Sequence, residues 1–368
     1  MKTLEQALKS FTAPAAEELS RRLDDGRWEC LACGHRCRIA DGRPGVCRVR
    51  YVEGGVLRRP RGYVAGLALD PIEKKPFFHA YPGREALTFG MVGCDLHCAY
   101  CQNWETSQAL RDDEAVSGIQ PVSAEEIAAA AVQSSVPVVV SSYNEPLITA
   151  DWAVEIFRLV RDKGIACAFV SNGNATPEVL EYLRPFVSLF KVDLKSFREE
   201  SYRELGAKLE NVLETLRVLK RLGFWVEIVT LLVPGFNDDP GELRAAAEFL
   251  VNLDANIPWH ITAFHPDYRM MDHDRTTAGH ILKAYEIGKS AGLRFVYMGN
   301  LPGQAGDRES TFCPGCGSLL IRRNGFLVLE NRMRGNRCPS CQAQIPGVWE
   351  EVPPTQTSCL PRRVHLGR

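Results

Sequence analysis

Three cysteines stand close together in one short stretch, MVGCDLHCAYCQNW, at residues 91–104. Cys94, Cys98 and Cys101 are spaced C-x3-C-x2-C. Three thiolates on one loop can bind three irons of a cubane [4Fe–4S] cluster and leave the fourth iron without a protein ligand. A small molecule can bind and react at such an open position, as it does at a catalytic zinc ion. The alternative is a zinc loop whose fourth ligand comes from elsewhere, although C-x2-C pairs are more typical of zinc sites.

A second group of cysteines lies nearer the amino terminus. Cys30, Cys33, Cys37 and Cys47 are spaced C-x2-C-x3-C-x9-C. Four thiolates this close together make a complete ligand set for one metal centre. A zinc ion would fasten a lobe that is too short to build its own core. A second iron–sulfur cluster would instead relay electrons, so the sequence leaves zinc and iron–sulfur both open.

Two C-x2-C pairs near the carboxyl terminus form a third group, which contains Cys313, Cys316, Cys338 and Cys341. Paired knuckles with this separation predict a zinc ribbon. Rubredoxin-type iron is the alternative, because four thiolates suit either ion. We expect the site to be structural.

The elements that must position these cysteines form a regular pattern. From about residue 86, short apolar runs alternate with longer amphipathic segments. The apolar runs are residues 86–92, 136–141, 166–171, 189–194, 225–232, 260–264 and 295–298. Strands alternating with helices predict a parallel α/β architecture. Six or seven such units predict a partial (β/α)6, TIM-like barrel.

Polar residues follow the predicted strands, at the end of a barrel where ligands bind. They include Asn144 and Glu145, Ser171 and Asn172, Asp193 and Lys195, and His265. Each has an ordinary explanation alone: Ser-Asn-Gly is a turn former, Asp193 and Lys195 could form a surface pair, and Glu145 could cap the next helix. Their recurrence on successive strands indicates a site. His260 lies within a strand and is predicted to be a hydrogen-bonded core residue.

The regions outside the barrel carry less information. Apolar residues at helical spacing before residue 25 predict one or two amphipathic helices, and residues 51–69 predict a β-hairpin. Cys167 is expected to be a buried apolar thiol, and Cys359 an exposed residue. The predicted organisation is an amino-terminal segment with a four-cysteine lobe and hairpin, the barrel, a zinc-ribbon-like domain and a flexible tail, at residues 1–86, 87–303, 304–352 and 353–368.

Composition excludes several classes of protein. The chain has 368 residues, of which 45% are hydrophobic and 24% charged, and these are ordinary globular values. A formal net charge of −1 favours neither nucleic acid nor an anionic membrane. We find no long apolar segment and no signal-peptide core, and therefore expect a cytoplasmic protein. The 13 cysteines cluster in metal-type spacings, which in a reducing compartment indicates metal binding.

The cysteine loop, with its C-x-aromatic-C ending, resembles the signature of radical S-adenosylmethionine (SAM) enzymes. The longer stretch from DPIEKKPFFHAYPG through GCDLHCAYCQNWETSQ resembles the radical SAM component of the AmmeMemoRadiSam system. That group is similar to the enzymes that activate pyruvate formate-lyase. The resemblance covers roughly residues 30–349 and implies a (β/α)6 core, a [4Fe–4S] cluster on the three cysteines, and SAM as cofactor.

The resemblance also implies roles for individual residues. Glu145 matches the glutamate of the family's Gly-Gly-Glu motif, which binds the SAM amino group, while Tyr143 and Asn144 replace the two glycines. Tyr100 stands where the family's aromatic residue contacts the adenine. We expect the remaining contacts with SAM and the reacting group to come from Ser171, Asn172, Asp193, Lys195 and His265.

Two functions from different classes follow. The first is a radical SAM oxidoreductase, similar to glycyl-radical-enzyme activases, that abstracts hydrogen from an unidentified substrate which could be a protein. Its partners would be an electron donor such as a flavodoxin or ferredoxin, and Memo-like and AMMECR-like proteins, with no membrane or nucleic acid. The second is a non-catalytic, multi-zinc module that binds protein or RNA. A brown anaerobic preparation would favour the enzyme, and a colourless zinc protein the module.

Overall fold

The structure is a computed structural model that describes residues 3–115, 117–351 and 360–364. Cys359 and most of the predicted tail, 353–368, lie outside the described residues. The helices have the following bounds: α1 Leu4–Leu8, α2 Trp104–Ser107, α3 Ala124–Gln133, α4 Ala150–Arg161, α5 Pro177–Leu183, α6 Glu199–Leu205, α7 Leu209–Arg221, α8 Pro240–Asp254 and α9 Ala278–Ala291. Single turns of 3-10 helix occupy Glu17–Leu19, Ile72–Lys74, Pro146–Thr149 and Gly306–Glu309.

Short antiparallel strands precede the main sheet: β1 Thr12–Pro14, β2 Ser20–Arg22, β3 Trp28–Cys30, β4 Arg38–Ile39, β5 Tyr51–Glu53, β6 Val56–Pro60, β7 Tyr63–Val64 and β8 Gly66–Pro71. Strands β2, β3 and β4 form one small sheet, and β1, β6 and β5 form another. Gly54 and Gly55 both have positive φ and close the tight turn between β5 and β6. The predicted hairpin is therefore confirmed.

A parallel sheet forms the body of the molecule and confirms the predicted α/β class. Its parallel strands are β9 Glu85–Gly90, β11 Val138–Ser141, β12 Ala166–Ser171, β13 Leu189–Asp193, β14 Trp225–Leu232, β15 Trp259–Ala263 and β16 Val296–Gly299. They are hydrogen-bonded in chain order, with helices in the connections, and the antiparallel strand β8 extends the β9 edge. β10 Gln120–Pro121 pairs instead with β7. All seven carboxyl ends therefore meet at one end of the sheet.

The sequence sets the ends of the helices through capping residues. Ser123 and Glu126 form a reciprocal capping box at the start of α3. Asp239 caps α8, and Pro240 occupies its first position, where a missing N–H costs nothing. Gly292 ends α9 in a left-handed conformation that side chains disfavour. These local signals fix where each helix begins and ends relative to the strand ends that it connects.

The carboxyl-terminal region forms a three-stranded antiparallel sheet from β17 Thr311–Phe312, β18 Leu319–Asn324 and β19 Leu327–Asn331. Its buried residues pack against Phe295 and Tyr297, which lie at the last parallel strand. Arg323 in β18 forms a fully buried ion pair with Glu73. This lobe is therefore tied to the body by a shared core and a buried charge pair. A last short strand, β20 Arg362–Arg363, pairs with β8.

The amino-terminal prediction of one or two amphipathic helices is mostly wrong. Only Leu4–Leu8 is α-helical, and the segment that contains Leu19 is a single 3-10 turn followed by β2. The pairing of β2 with β3 supplies the backbone hydrogen bonds that a helix would otherwise make internally. Leu19 is nevertheless fully buried. The apolar spacing was recognised correctly, but the secondary structure was not.

None of the helices in the described ranges combines the length and the apolar character needed to cross a bilayer.

Candidate functional site

A cavity of about 770 Å³ opens at the carboxyl ends of the parallel strands. This volume lies within the range of small-ligand sites. Its wall contains Cys94, Cys98 and Cys101 together with Tyr100 and Glu145. Asn144, Asn172, Asp193 and Lys195 also line it. The structure thus brings together most of the residues that the sequence analysis selected.

The cysteine loop begins directly after β9 and is held by tight backbone packing. Gly93 has a φ of 100°, and a Cβ at this position would lie 2.9 Å from Val49. A side chain there would be strained by both the backbone and the contact. The Leu96 amide donates to the Cys94 sulfur at 3.4 Å, and Cys101 Sγ lies 3.1 Å from Ser107 Oγ. The loop therefore presents its thiols in a defined arrangement.

Cys94, Cys98 and Cys101 all line the cavity, so their thiols lie around one space. Three thiolates can bind three irons of a cubane cluster and leave the fourth iron without a protein ligand. Burial raises the pKa of Cys98 to about 11. Metal binding would hence release protons.

Glu145 is 3% exposed, and its carboxylate accepts three hydrogen bonds. Ser171 Oγ and the Asn172 amide donate at 2.7 Å each, and the Leu147 amide donates at 3.1 Å. Burial, followed by the charge of Asp95, raises the pKa of Glu145 to about 8, although the hydrogen bonds oppose this rise. A carboxylate has about four lone-pair sites, so one remains for a cationic ligand.

Glu145 also caps the 3-10 turn that follows it, because its side chain accepts from the Leu147 amide. The alternative prediction, that Glu145 caps the next helix, therefore accounts for one of its three hydrogen bonds. The two residues before it take the place of glycines in the family motif. Tyr143 retains a glycine-like conformation with a φ of 72°, which is uncommon for a side-chain-bearing residue. Asn144 Oδ1 accepts from the Met91 amide at 3.0 Å and so fastens this turn to the end of β9. The backbone path of the motif is thus compatible with the two substitutions.

Asp95, which the sequence analysis did not select, is fully buried beside Cys94, the first cysteine of the loop. Asn172 Nδ2 donates to Asp95 Oδ1 at 2.7 Å, and Asn174 Nδ2 donates to Oδ2 at 2.8 Å. The same Asn172 nitrogen lies 3.9 Å from Cys94 Sγ. Asp95 therefore joins the cysteine loop to the end of β12. Its adjacency to Cys94 was the single sequence signal available.

Lys191 is a second residue that the sequence analysis missed. It lies within β13, is 3% exposed, and forms an ion pair with Asp193. Lys195 Nζ is 3.5 Å from the other oxygen of Asp193, so one carboxylate serves two ammonium groups. Burial opposes the charge of Lys195, but Asp193 and Cys98 outweigh it and raise its pKa. A lysine in the middle of an apolar strand, two residues before an aspartate, was the signal that could have revealed it.

The remaining predicted residues occupy different positions. Ser171 is buried behind Glu145, which its hydroxyl supports, and it does not line the cavity. Tyr100 lines the cavity, and its buried hydroxyl has no hydrogen-bond partner within the described residues. His265 lies outside the lining, with an exposed side chain whose Nδ1 is 3.0 Å from Gln102 Nε2. His260 is buried and hydrogen-bonded to Glu227 at 2.7 Å, as predicted for a core histidine, and it also lines the cavity floor.

The carboxyl-terminal cysteines form a compact set. The Sγ atoms of Cys313 and Cys341 are 3.6 Å apart, and those of Cys316 and Cys338 are 3.7 Å apart. Four sulfurs around one tetrahedral zinc ion, each about 2.3 Å from the metal, would be about 3.8 Å from one another. The observed spacing therefore suits one ion. This set lies in the carboxyl-terminal lobe and does not line the cavity.

The amino-terminal cysteines, Cys30, Cys33, Cys37 and Cys47, also lie within one lobe. Cys30, Cys33 and Cys47 are buried and Cys37 is half-buried. All the cysteines in the described ranges are free thiols. Cys167 is buried in β12, as expected.

Comparison with known proteins gives one family match. The sequence model described as "Radical SAM superfamily" matches residues 89–250, which contain the cysteine loop and the strands β11 to β14. An uncharacterised protein of Methanocaldococcus jannaschii is 34% identical over 328 residues, covering 88% of this chain and 96% of that protein. The match therefore extends over most of both chains.

More distant relatives include a pyruvate formate-lyase-activating enzyme of Staphylococcus aureus, which is 28% identical over 197 residues and covers 50% of this chain and 76% of that enzyme. Among solved structures, a radical SAM methyltransferase from Sphaerobacter thermophilus matches with a TM-score of 0.47 and 16% identity, covering 65% of this chain and 71% of that one. A structural likeness of this size supports no conclusion about activity.

Proposed function

Because the chain belongs to the radical SAM superfamily, we propose that it is an enzyme that cleaves SAM reductively and uses the resulting radical to abstract hydrogen from a substrate. The observation that carries the proposal is the shared cavity. Three cysteines in the family's spacing, a buried carboxylate and an ammonium-rich patch face one space large enough for a small ligand.

In this proposal Cys94, Cys98 and Cys101 bind three irons of a [4Fe–4S] cluster. When bound, the cluster supplies the electron that splits SAM into methionine and a 5′-deoxyadenosyl radical. Glu145 accepts a hydrogen bond from the SAM ammonium group at its remaining lone-pair site. Ser171 and the Asn172 amide keep the carboxylate in place, and the Tyr100 ring provides a surface for the adenine.

Lys191, Asp193 and Lys195 form the charged side of the cavity beyond the cysteines. One carboxylate shared by two ammonium groups leaves a net positive charge there. This charge favours an anionic group, which we assign to the SAM carboxylate or to the substrate. His265, at the rim, remains a candidate for contact with a larger substrate.

The activase-like relatives are the basis for proposing that the substrate is a protein. The same proposal includes a flavodoxin or ferredoxin as electron donor, and Memo-like and AMMECR-like proteins as partners of an AmmeMemoRadiSam system. It places the enzyme in the cytoplasm, where free thiols persist. In the carboxyl-terminal lobe, we propose that the compact cysteines bind one zinc ion for structure.

The proposal is tested by comparing Cys98→Ala with Cys167→Ala. Both variants remove one buried thiol, but Cys98 lines the cavity and Cys167 lies within a strand. We expect anaerobically reconstituted Cys98→Ala to lose the iron of this site and the spectral change that SAM induces, while Cys167→Ala retains both. A Cys98→Ala protein with wild-type iron content and SAM response would contradict the proposal.

A further inference from the structure

Asp95 brings a buried carboxylate to the first thiol of the cysteine loop. Its side chain is fully buried, and the Cys94 thiol donates to Oδ1 at 3.8 Å. Once Cys94 binds iron as a thiolate, it has no proton to donate, and two negative groups face each other. Water screens the interaction between buried charges only weakly. The Asp95 carboxylate therefore acts on any charge that is bound at Cys94.

Asn172 connects this carboxylate to the sulfur. Its amide nitrogen Nδ2 donates to Asp95 Oδ1 at 2.7 Å and lies 3.9 Å from Cys94 Sγ. Its amide oxygen Oδ1 accepts from the backbone amide of Asn174 at 2.8 Å, which fixes the orientation of the side chain. An amide nitrogen carries two hydrogens. One N–H therefore serves the carboxylate, and the other is available to the sulfur.

The amino-terminal lobe also holds Asp95 in place. His35 Nε2 donates to the backbone carbonyl of Asp95 at 3.0 Å and lies 3.9 Å from its Oδ2. The Gly34 amide donates to the carbonyl of Asn174 at 2.7 Å, and Asn174 Nδ2 donates to Asp95 Oδ2 at 2.8 Å. A Cβ on Gly34 would overlap Asn174 Oδ1, so this close approach requires glycine. Contacts from two separate segments thus fix the carboxylate in one orientation.

A fixed negative charge beside an iron–sulfur cluster makes the addition of an electron less favourable, because like charges repel. The reduction potential of the cluster falls, and a cluster of lower potential is a stronger electron donor. Hydrogen-bond donors to the sulfurs have the opposite effect, because they stabilise the added negative charge. The Asp95 carboxylate and the Asn172 amide therefore oppose each other at Cys94.

We propose that Asp95 is a positioning residue that lowers the reduction potential of the [4Fe–4S] cluster at Cys94, Cys98 and Cys101. Asp95 does not line the cavity, so it acts through Cys94 and Asn172, which do. Its charge opposes reduction of the cluster, and its hydrogen bond directs the Asn172 amide toward the Cys94 sulfur. The presence of the cluster rests on the proposed function.

The proposal is tested with Asp95→Asn, and Asp254→Asn serves as the matched control. Both changes keep the size of the side chain and remove its charge, but Asp254 pairs with Lys220 and lies outside the cavity lining. The measurement is an anaerobic redox titration followed by the electron paramagnetic resonance signal of the reduced cluster. We expect the midpoint potential to rise by at least about 59 mV in Asp95→Asn, which is a tenfold change in the ratio of reduced to oxidised cluster. The control should keep the wild-type potential, and an unchanged or lower potential in Asp95→Asn would overturn the proposal.

Because Asp95→Asn could assemble the cluster poorly, Asn172→Ala provides a second measurement. This change removes the N–H that faces the sulfur and a donor that offsets the charge of Asp95, so we expect the midpoint potential to fall. A potential equal to or above that of the wild type would overturn the proposal. A merely structural role would lower the iron content of both variants without shifting their potentials in opposite directions.

The wild-type protein separates failure of this proposal from failure of the proposed function. Wild-type protein that binds no iron at Cys94, Cys98 and Cys101 would contradict both. A wild-type cluster that responds to SAM, together with unshifted potentials in Asp95→Asn and Asn172→Ala, would contradict this proposal alone.

Discussion

At the scale of residues, the cavity is built on acids that are buried before any ligand arrives. Glu145 and Asp95 lie close enough for the charge of Asp95 to raise the pKa of Glu145. Four amide and hydroxyl donors from residues 171–174 hold the two carboxylates in fixed orientations. Such preorganised groups lose little freedom when a cofactor binds. The free lone pair of Glu145 is therefore expected to contribute to affinity for SAM.

Glu145→Gln should weaken SAM binding by roughly ten- to a hundredfold. A charge-assisted hydrogen bond contributes about 1.5–3 kcal/mol, and glutamine retains the shape without the charge. The measurement is an anaerobic SAM titration of the cluster-loaded variant, accompanied by its melting temperature. The control is Glu126→Gln, which changes a helix-capping carboxylate at α3 away from the cavity. Unchanged SAM affinity with a lowered melting temperature would mean that Glu145 acts as a helix cap alone.

At the scale of elements, the carboxyl-terminal lobe depends on interactions of two kinds. The compact cysteine set lies within the lobe, whereas the buried pair of Arg323 in β18 with Glu73 in a 3-10 turn joins the lobe to the body. Glu73 also accepts from the Gly83 amide at 3.0 Å. Because these groups lie in separate elements, changes at either should loosen the lobe while the parallel sheet stays folded.

Cys338→Ser should unfold the lobe without abolishing SAM cleavage. A structural zinc ion contributes directly to folding, and Cys338 is a buried member of the compact set. Zinc content and limited proteolysis report the state of the lobe, and 5′-deoxyadenosine formation reports the active site. If cleavage is lost while the lobe remains protected from protease, these cysteines must serve electron transfer.

Glu73→Gln should change how stability depends on pH. Burial raises the pKa of Glu73 to about 7, although Arg323 opposes the rise. The native state then binds more protons than the unfolded state between about pH 4.5 and 7, so this group makes stability fall as pH rises through that window. Comparing urea midpoints at pH 5 and pH 8, we expect the wild-type protein to lose stability relative to Glu73→Gln. An equal change of the urea midpoint in both proteins would show that the pKa of Glu73 is not raised in the native state.

At the scale of the whole molecule, the features that follow a regular pattern of apolar and polar residues were predictable from the sequence. Apolar strands alternating with helices predicted the parallel sheet, and polar strand ends predicted Asn144, Glu145, Asn172, Asp193 and Lys195 at one cavity. These predictions succeed because parallel strands must place their carboxyl ends on one side.

Features that depend on tertiary contacts were not predictable. The segment around Leu19 became a turn and a strand because pairing with β3 outweighed its helical spacing. Asp95 became part of the site because Asn172 and Asn174, which are distant in sequence, donate to its buried carboxylate. Lys191 pairs with Asp193, two residues away, and the fold places it in the cavity wall. His265 was selected because it follows a predicted strand, but it lies outside the cavity lining. The local sequence pattern determines the periodicity of strands and helices and the position of turns. The hydrogen-bond partners of a buried polar group are instead determined by the whole fold.

The central claim is tested most directly by measuring 5′-deoxyadenosine and methionine after anaerobic reduction of the wild-type protein with SAM. We expect both products to form in equal amounts, at about one equivalent per catalytic cluster or more, and to be absent from Cys98→Ala. Wild-type protein that carries the catalytic cluster and binds SAM, yet forms neither product above the unreduced control, would contradict the account.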